Sequence, residues 1–232
     1  MKYTEIKKGF FLSRPNRFIA KVLIDGNEET VHVKNTGRCK ELLIPGATVY
    51  LYVSDNKSRK TKYDLIAVEK IREGTVPLLV NMDSQVPNTV AHEWLRTCGL
   101  FSENAVIRRE VTYGKSRFDF YIEDSGRRAF LEVKGVTLEN DGVASFPDAP
   151  TERGIKHINE LVSAVNNGYE GYVLFVIQMK EVSLFKPNDT THKAFGDALR
   201  SAQKAGVKIL AVDCIVTPDS IKCDKPVDIK LN

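Results

Sequence analysis

The chain has 232 residues, of which 42% are hydrophobic and 28% are charged, and its formal net charge is +4. No apolar run reaches the roughly 18 residues that span a bilayer, and the first residues lack a signal-peptide pattern, so we expect a cytoplasmic protein without membrane segments. Four cysteines stand far apart without a CxxC pair, which argues against a disulfide framework and a structural zinc site.

The charge is unevenly distributed along the chain. Residues 1–82 carry 15 Lys and Arg against 9 Asp and Glu, whereas residues 83–232 carry 19 against 21. A basic first part suits sequence-independent contact with phosphates, and an acidic remainder suits carboxylates that hold a cation. A solvated basic surface explains the same counts equally well.

Short strand-like runs alternate with turn signals in the first part. The predicted strands are Gly9–Leu12, Phe18–Ile24, Thr30–Lys34, Thr48–Ser54 and Tyr63–Lys70. Five strands without a long helix predict an oligonucleotide-binding β-barrel over residues 1–82.

Cations concentrate near the turns of this predicted barrel. The candidate DNA-contacting residues are Arg14, Arg17, Arg38, Lys57, Arg59, Lys60 and Lys62. The Asn35-Thr-Gly-Arg38 turn could offer backbone N–H groups to a phosphate, although a structural turn explains it equally well. Most of the aromatic residues are better explained as core than as stacking platforms for bases.

A polar connection over residues 80–87 indicates a domain boundary, and a second domain over 83–232 follows it. A helix is predicted over Asn88–Cys98, with Asn88 as its N-cap and Gly99 just after its end. Glu93 on this helix is a candidate third acidic ligand of a metal, although a surface position explains it as well.

Residues 117–134 predict a hairpin with the two-residue turn Ser125-Gly126. That turn places Asp119 directly across from Glu132, and cross-strand neighbours have Cβ atoms about 5 Å apart. Two adjacent carboxylates are unfavourable unless one is protonated or a cation lies between them, and Mg²⁺ or Mn²⁺ suits oxygen ligands. Lys134 lies on the same strand face as Glu132, where an ammonium can orient water or stabilise phosphate charge.

The acidic-x-Lys tripeptide is uninformative by itself, because it occurs four times in this chain. Only Glu132-Val-Lys134 is embedded in an apolar strand that follows a strand with an aligned Asp. A solvated, salt-bridged hairpin face is the alternative to a metal site.

Helices and strands alternate after the hairpin. A helix over 151–167 carries Arg153, Lys156 and His157 in its first turns, where they either grip a phosphodiester or form a solvated face. A buried strand over 172–177 ends at Gln178, a candidate catalytic amide, and a helix over 190–205 and a strand over 207–212 follow. This order predicts parallel strands with covering helices.

Several segments together resemble the sugar fermentation stimulation protein family. They are Asn35-Thr-Gly-Arg38, Arg109-Glu-Val-Thr-Tyr-Gly114, Ser116-Arg-Phe-Asp-Phe120, Glu132-Val-Lys134, Phe146-Pro-Asp148 and Arg153-Gly-Ile-Lys-His157. The resemblance implies DNA binding and an α/β protein, with an oligonucleotide-binding-like barrel before a restriction-endonuclease-like domain with a mixed sheet. In the PD-(D/E)xK pattern of that fold, Asp119 matches the metal-binding Asp, and Glu132 and Lys134 match the (D/E)xK pair. Cys39 departs from the Met expected after the turn.

Two functions follow as hypotheses. The first is a Mg²⁺-dependent nuclease that hydrolyses the phosphodiesters of duplex DNA, with Asp119, Glu132, Lys134 and Gln178 as catalytic residues and Asp119, Glu132 and Glu93 as metal ligands. The second is a non-catalytic DNA-binding regulator linked to sugar metabolism genes. The complete triad favours the nuclease, because adjacent carboxylates repel phosphate in a pure binder. The sequence leaves open whether the protein forms a homodimer.

Overall fold

Six strands form the N-terminal barrel sheet. The computed structural model describes residues 1–35, 37–56, 58–72 and 74–232. The strands are β1 (Ile6–Asn16), β2 (Ile19–Ile24), β3 (Asn27–Val33), β4 (Thr48–Val53), β5 (Tyr63–Lys70) and β6 (Leu78–Asn81).

The barrel sheet runs in the order β3-β2-β1-β4-β5-β6 and closes through a parallel pairing of β3 with β5. Buried and less buried residues alternate strictly along β2 and β4, so one face of each strand fills the barrel core. The predicted five-strand barrel is confirmed. Part of the predicted connection is instead β6, an added strand on β5.

The α/β domain contains the remaining elements. They are α1 (Val86–Leu95), β7 (Val106–Tyr113), β8 (Ser116–Asp124), β9 (Arg127–Val136), β10 (Leu138–Asn140), β11 (Val143–Phe146), α2 (Glu152–Asn166), β12 (Glu170–Ile177), β13 (Leu184–Pro187), α3 (Asp189–Lys204), β14 (Lys208–Thr217), β15 (Ser220–Pro226) and β16 (Asp228–Ile229). Within the part of the chain that the structure describes, no helix is long and apolar enough to cross a membrane.

The main sheet of this domain is mixed, as expected. Its order is β15-β14-β12-β9-β8-β7, with β9, β12 and β14 parallel and the outer strands antiparallel. β12 is almost wholly buried, as its continuous apolar sequence predicts. A smaller sheet, β10-β11-β13-β16, lies beside it.

The first helix starts earlier than predicted. α1 begins at Val86 after Gln85, and Pro87 occupies its first turn, where a missing N–H costs nothing. Asn88 is therefore inside the helix and is not its N-cap, which leaves its side chain free to contact the sheet.

The β8–β9 hairpin has the predicted register. Asp124 pairs with Arg127 and Phe120 pairs with Leu131. Ser125 and Gly126 both have positive φ, at 50° and 82°, as a type I′ turn requires. This turn fixes which side chains of the two strands face one another.

Buried polar groups join the barrel to the α/β domain. The Lys34 Nζ lies 2.9 Å from Asp83 Oδ2 and 3.6 Å from Asp64 Oδ2, and both carboxylates are only 2% exposed. Gln178 Nε2 donates to three oxygens of Asn81 and Asp83 at 3.1 Å each. Because these groups are removed from water, leaving any one of them without its hydrogen-bond or ion-pair partner would lower the stability of the fold.

We expect Lys34→Met to lower the free energy of unfolding by about 3–5 kcal/mol, because it leaves the buried Asp83 carboxylate without its cation, whereas Asp64 keeps Arg59. Urea unfolding measures the change. The control is Lys2→Met, which removes an exposed pair with Asp219 and should change stability by less than about 1 kcal/mol. Equal effects of the two variants would contradict the role of Lys34 at the junction.

Candidate metal centre and nucleic-acid interface

The candidate site lies where β8 and β9 separate. Their ladder ends at Phe120 and Leu131, one residue before Asp119 would pair with Glu132. The Asp119 Oδ2 instead accepts the Val133 backbone N–H at 2.7 Å, and its Oδ1 accepts from Asn88 Nδ2 at 2.6 Å. Both oxygens of Asp119 are thus fixed in the gap between the strands.

Glu132 faces Asp119 and is only 3% exposed. Its Oε1 accepts from Lys134 Nζ at 2.7 Å and from His157 Nδ1. Its Oε2 is buried and has no hydrogen-bond partner among the described residues. An unpaired buried carboxylate oxygen is costly, so this atom marks a position where a cation or a donor would be stabilised.

His157 determines which Glu132 oxygen is left unpaired. Arg153 Nε donates to His157 Nε2 at 3.5 Å, which assigns the proton of a neutral imidazole to Nδ1, the atom facing Glu132. His157 is buried on α2 and its ring faces Glu132, so it is not part of a solvated helix face. Its contact with DNA stays a prediction.

The two carboxylates are in different electrostatic environments. Burial, followed by the charge of Glu132, raises the pKa of Asp119, and the hydrogen bonds from Val133 and Asn88 offset this only in part. Burial also acts to raise the pKa of Glu132, but His157 and Lys134 outweigh it, so that the Glu132 pKa is lowered. The environment therefore opposes ionisation of Asp119 and favours ionisation of Glu132.

A cleft of about 230 Å³ opens onto this pair. It is lined by Glu110, Arg117, Phe118, Asp119, Glu132, Val133, Lys134, Arg153 and His157. Among the described residues, no group of three His, Cys, Asp or Glu side chains is arranged to hold a metal ion.

Sequence reasoning missed Asn88, Glu110 and Arg117. The β7–β8 register pairs Arg109 with Phe120 and Val111 with Phe118, so Glu110 lies across from Asp119, with φ 56°. The Gly114-Lys115 dipeptide could have predicted this pairing from the sequence, because a two-residue turn at that point fixes the β7–β8 register.

Two predicted site residues are not brought to the pair. Glu93 is 47% exposed, and its carboxylate pairs with the Met1 ammonium at 2.8 Å, so it faces the N-terminus. Gln178 lines a different cavity, between the two domains, and its amide is committed to Asn81 and Asp83. Helix rotation and strand length, which the sequence does not specify, place them elsewhere.

Two of the predicted DNA-contacting arginines have structural roles. The Nη atoms of Arg14 donate to four backbone carbonyls at 2.7–2.9 Å, including those of Asn35 and Gly37. Arg59 forms a two-pronged pair with buried Asp64, at 3.0 and 2.5 Å. These guanidinium groups hold loops in place, and their contact with phosphates stays a prediction.

The other predicted cations lie at the surface. Arg17 and Arg38 line a cleft of about 370 Å³ on the barrel. Lys40, which was not among the candidate DNA-contacting residues, lines it too, and all three side chains are exposed. Lys60 and Lys62 are exposed in the loop before β5, and the predicted contact Lys57 lies outside the described residues. Arg153 and Lys156 are exposed on α2, and Lys156 also donates to the Lys115 carbonyl.

We expect Asp119→Asn to raise the free energy of unfolding at pH 7 in EDTA. A raised carboxyl pKa means that stability is greatest below the unfolded pKa of about 3.9 and is lost as pH rises through the folded value. The gain should therefore shrink as pH falls toward 4. The Asn88 amide can flip to accept from the new Asn, so the local hydrogen bonds survive.

Glu132→Gln should have the opposite effect and destabilise the protein at pH 7. A lowered pKa means that the ionised form stabilises the fold above the unfolded pKa, and this contribution disappears as pH falls through the folded value. Urea unfolding between pH 4 and 7 measures both variants. The assignment would be contradicted if the two substitutions shifted stability in the same direction.

Comparison with known proteins identifies the family of this chain. A family model described as "Sugar fermentation stimulation protein RE domain" matches residues 85–220, and one described as "SfsA N-terminal OB domain" matches residues 12–76. The protein named sugar fermentation stimulation protein homolog from Desulfitobacterium hafniense is 62% identical over 231 residues, covering 100% of this chain and 99% of that protein. The homolog of that name from Clostridium beijerinckii is 57% identical and covers 100% of both chains.

A solved structure shows the same fold. It is titled "The structure of Pyrococcus Furiosus SfsA in complex with Ca2+", is 28% identical, and matches with a TM-score of 0.83 over 99% of this chain and 98% of that chain. The family models cover most of the chain, and the relatives cover all of it. The chain therefore belongs to the sugar fermentation stimulation protein family.

Proposed function

We propose that this protein binds DNA and hydrolyses its phosphodiester bonds with a divalent cation held by Asp119 and Glu132. The observation that carries the proposal is the buried, unpartnered Oε2 of Glu132 beside the partly buried carboxylate of Asp119. Neither feature stabilises the fold in the absence of a cation.

The residues fit Mg²⁺ or Mn²⁺. Hard cations prefer oxygen ligands, and Mg²⁺ is commonly bound by one or two carboxylates with water completing its shell. The related Pyrococcus furiosus protein was solved in complex with Ca²⁺, which supports a divalent ion in this fold. When bound, such an ion polarises a phosphoryl oxygen and stabilises the departing oxygen.

The surrounding side chains fix the orientation of the Asp119 and Glu132 carboxylates. His157 and Lys134 both bind Glu132 Oε1, and so leave Oε2 directed to the site. Asn88 and the Val133 N–H fix the carboxylate plane of Asp119. The Lys134 ammonium is positioned to hold an attacking water and to offset negative charge that develops on the phosphate.

Cations around the cleft supply contacts for the DNA backbone. Arg117 and Arg153 line the cleft beside the carboxylates, and both are exposed. Arg17, Arg38 and Lys40 give the barrel a second basic surface. Phosphate contacts of this kind position a nucleic acid without reading its sequence.

A DNA-binding regulator without catalysis is the second candidate, and one observation favours it. Glu132 is already paired with Lys134 and His157, so the charge of that carboxylate is balanced without a metal ion. In this case the pair would be a structural ion cluster, and bound DNA would remain intact.

Nicking of supercoiled DNA distinguishes the two candidates. We expect Mg²⁺- or Mn²⁺-dependent nicking by the native protein, and a loss of at least about 100-fold in Asp119→Ala and Lys134→Ala, because charge stabilisation at the phosphate is removed. Glu93→Ala is the matched control and should keep full activity, since Glu93 faces the N-terminus. Binding without metal-dependent nicking would favour the regulator.

The basic cleft of the barrel can be tested by salt dependence. Neutralising Arg17, Arg38 and Lys40 to Gln should reduce the slope of log affinity against log salt by about three, if each residue contacts one phosphate. The control replaces three exposed lysines elsewhere, Lys204, Lys222 and Lys225, with Gln and should leave the slope unchanged. An equal change in both triple variants would indicate a general charge effect.

A further inference from the structure

A second cavity, of about 120 Å³, lies between the barrel and the α/β domain. Two segments distinguished in the sequence, Asn35-Thr-Gly-Arg38 and Phe146-Pro-Asp148, each contribute to its wall. The polar residues that line it are Asn35, Ser84, Thr137, Ser145, Asp148 and Gln178. The cavity is separate from the metal centre, and none of these side chains has a part in the proposed hydrolysis.

Two glycines allow the walls of this cavity to approach closely. A Cβ at Gly37 would lie 2.2 Å from Asp148 Oδ2, and a Cβ at Gly135 would lie 2.7 Å from both Gln178 Oε1 and Pro87 Cγ. Any larger residue would displace these groups. The cavity is thus a defined feature of the domain junction, with its polar atoms held in place.

The polar atoms that face the cavity are suited to a ligand that donates hydrogen bonds. Gln178 is only 2% exposed, and its Nε2 is committed to Asn81 and Asp83. Its Oε1 lies at the Gly135 wall of the cavity, where it can accept a hydrogen bond. The Asp148 carboxylate also lines the cavity, and an ionised carboxylate can only accept.

The charge and the size of the cavity restrict the chemical class of ligand that it can accept. No Lys, Arg or His of the described residues lines the cavity, so a phosphate would meet a carboxylate there without a compensating cation. The volume corresponds to about four water molecules, enough for one small ring. Pro87 and Phe146 add apolar surface that a flat ring can cover.

The cavity adjoins the metal centre at the start of α1. Pro87 in its wall directly precedes Asn88, and the Asn88 Nδ2 donates to Asp119 Oδ1 at 2.6 Å. A DNA strand with its phosphate at Asp119 and Glu132 would therefore pass close to the cavity. A paired base cannot enter such an enclosed space, whereas an unpaired base can.

We infer that this cavity receives one unpaired nucleobase with an exocyclic amino group, such as cytosine, from the DNA strand held at the metal centre. The inference rests on the proposed function and adds a substrate class to it: DNA with an unpaired nucleotide. The Gln178 and Asp148 oxygens accept the amino protons, much as carboxylates accept from the cytosine amine in DNA grooves.

Fluorescence anisotropy with Ca²⁺ tests this on three labelled probes: a blunt duplex, and the same duplex with a three-nucleotide dC or dT overhang. The native protein should bind the dC overhang about tenfold more tightly than the blunt duplex and more tightly than the dT overhang. Gly135→Ala, which intrudes on Gln178, and Asp148→Asn, which removes an acceptor, should each abolish the preference without changing affinity for blunt DNA.

Asp141→Asn is the matched control, since it removes one exposed carboxylate from the β10–β11 turn, and it should keep the preference. Circular dichroism verifies that each variant is folded, and Asp148→Asn carries the test if Gly135→Ala does not fold. If native protein binds all three probes equally, or both variants keep the preference, the inference is overturned while DNA binding stands. If the native protein binds none of the probes, the proposed function itself fails.

Discussion

The separation of β8 and β9 at Asp119 is the constraint on which the site depends. A continued ladder would have satisfied the Val133 N–H with a backbone carbonyl. The Asp119 carboxylate takes that place, and it is therefore held beside Glu132, partly buried and fixed in orientation. Burial, and then electrostatic repulsion from Glu132, raise the pKa of Asp119, so the fold holds an unfavourable arrangement that a cation would relieve.

The rest of the site maintains this arrangement. α2 brings His157 to Glu132, and α1 brings Asn88 to Asp119, so each carboxylate is held by a different helix. The buried Lys34 network and the Gln178 amide fix the barrel against the same domain. A basic barrel surface and an acidic centre are thereby held in one orientation, as the proposed function requires.

Much of the fold could be predicted because its determinants are local. The Ser125-Gly126 turn specifies the β8–β9 register, and the apolar run of β12 specifies a strand buried on both faces. The position of Glu93 required the rotation of α1, which depends on packing. The roles of Arg14 and Arg59 required loop geometry, because their partners are backbone carbonyls and a buried carboxylate that charge counts do not reveal.

Anomalous diffraction from crystals soaked in Mn²⁺ tests the central claim most directly. The account predicts a single strong peak within coordination distance of Glu132 Oε2 and an oxygen of Asp119. A peak only at other carboxylates, or none at this pair in crystals that bind Mn²⁺ elsewhere, would contradict it.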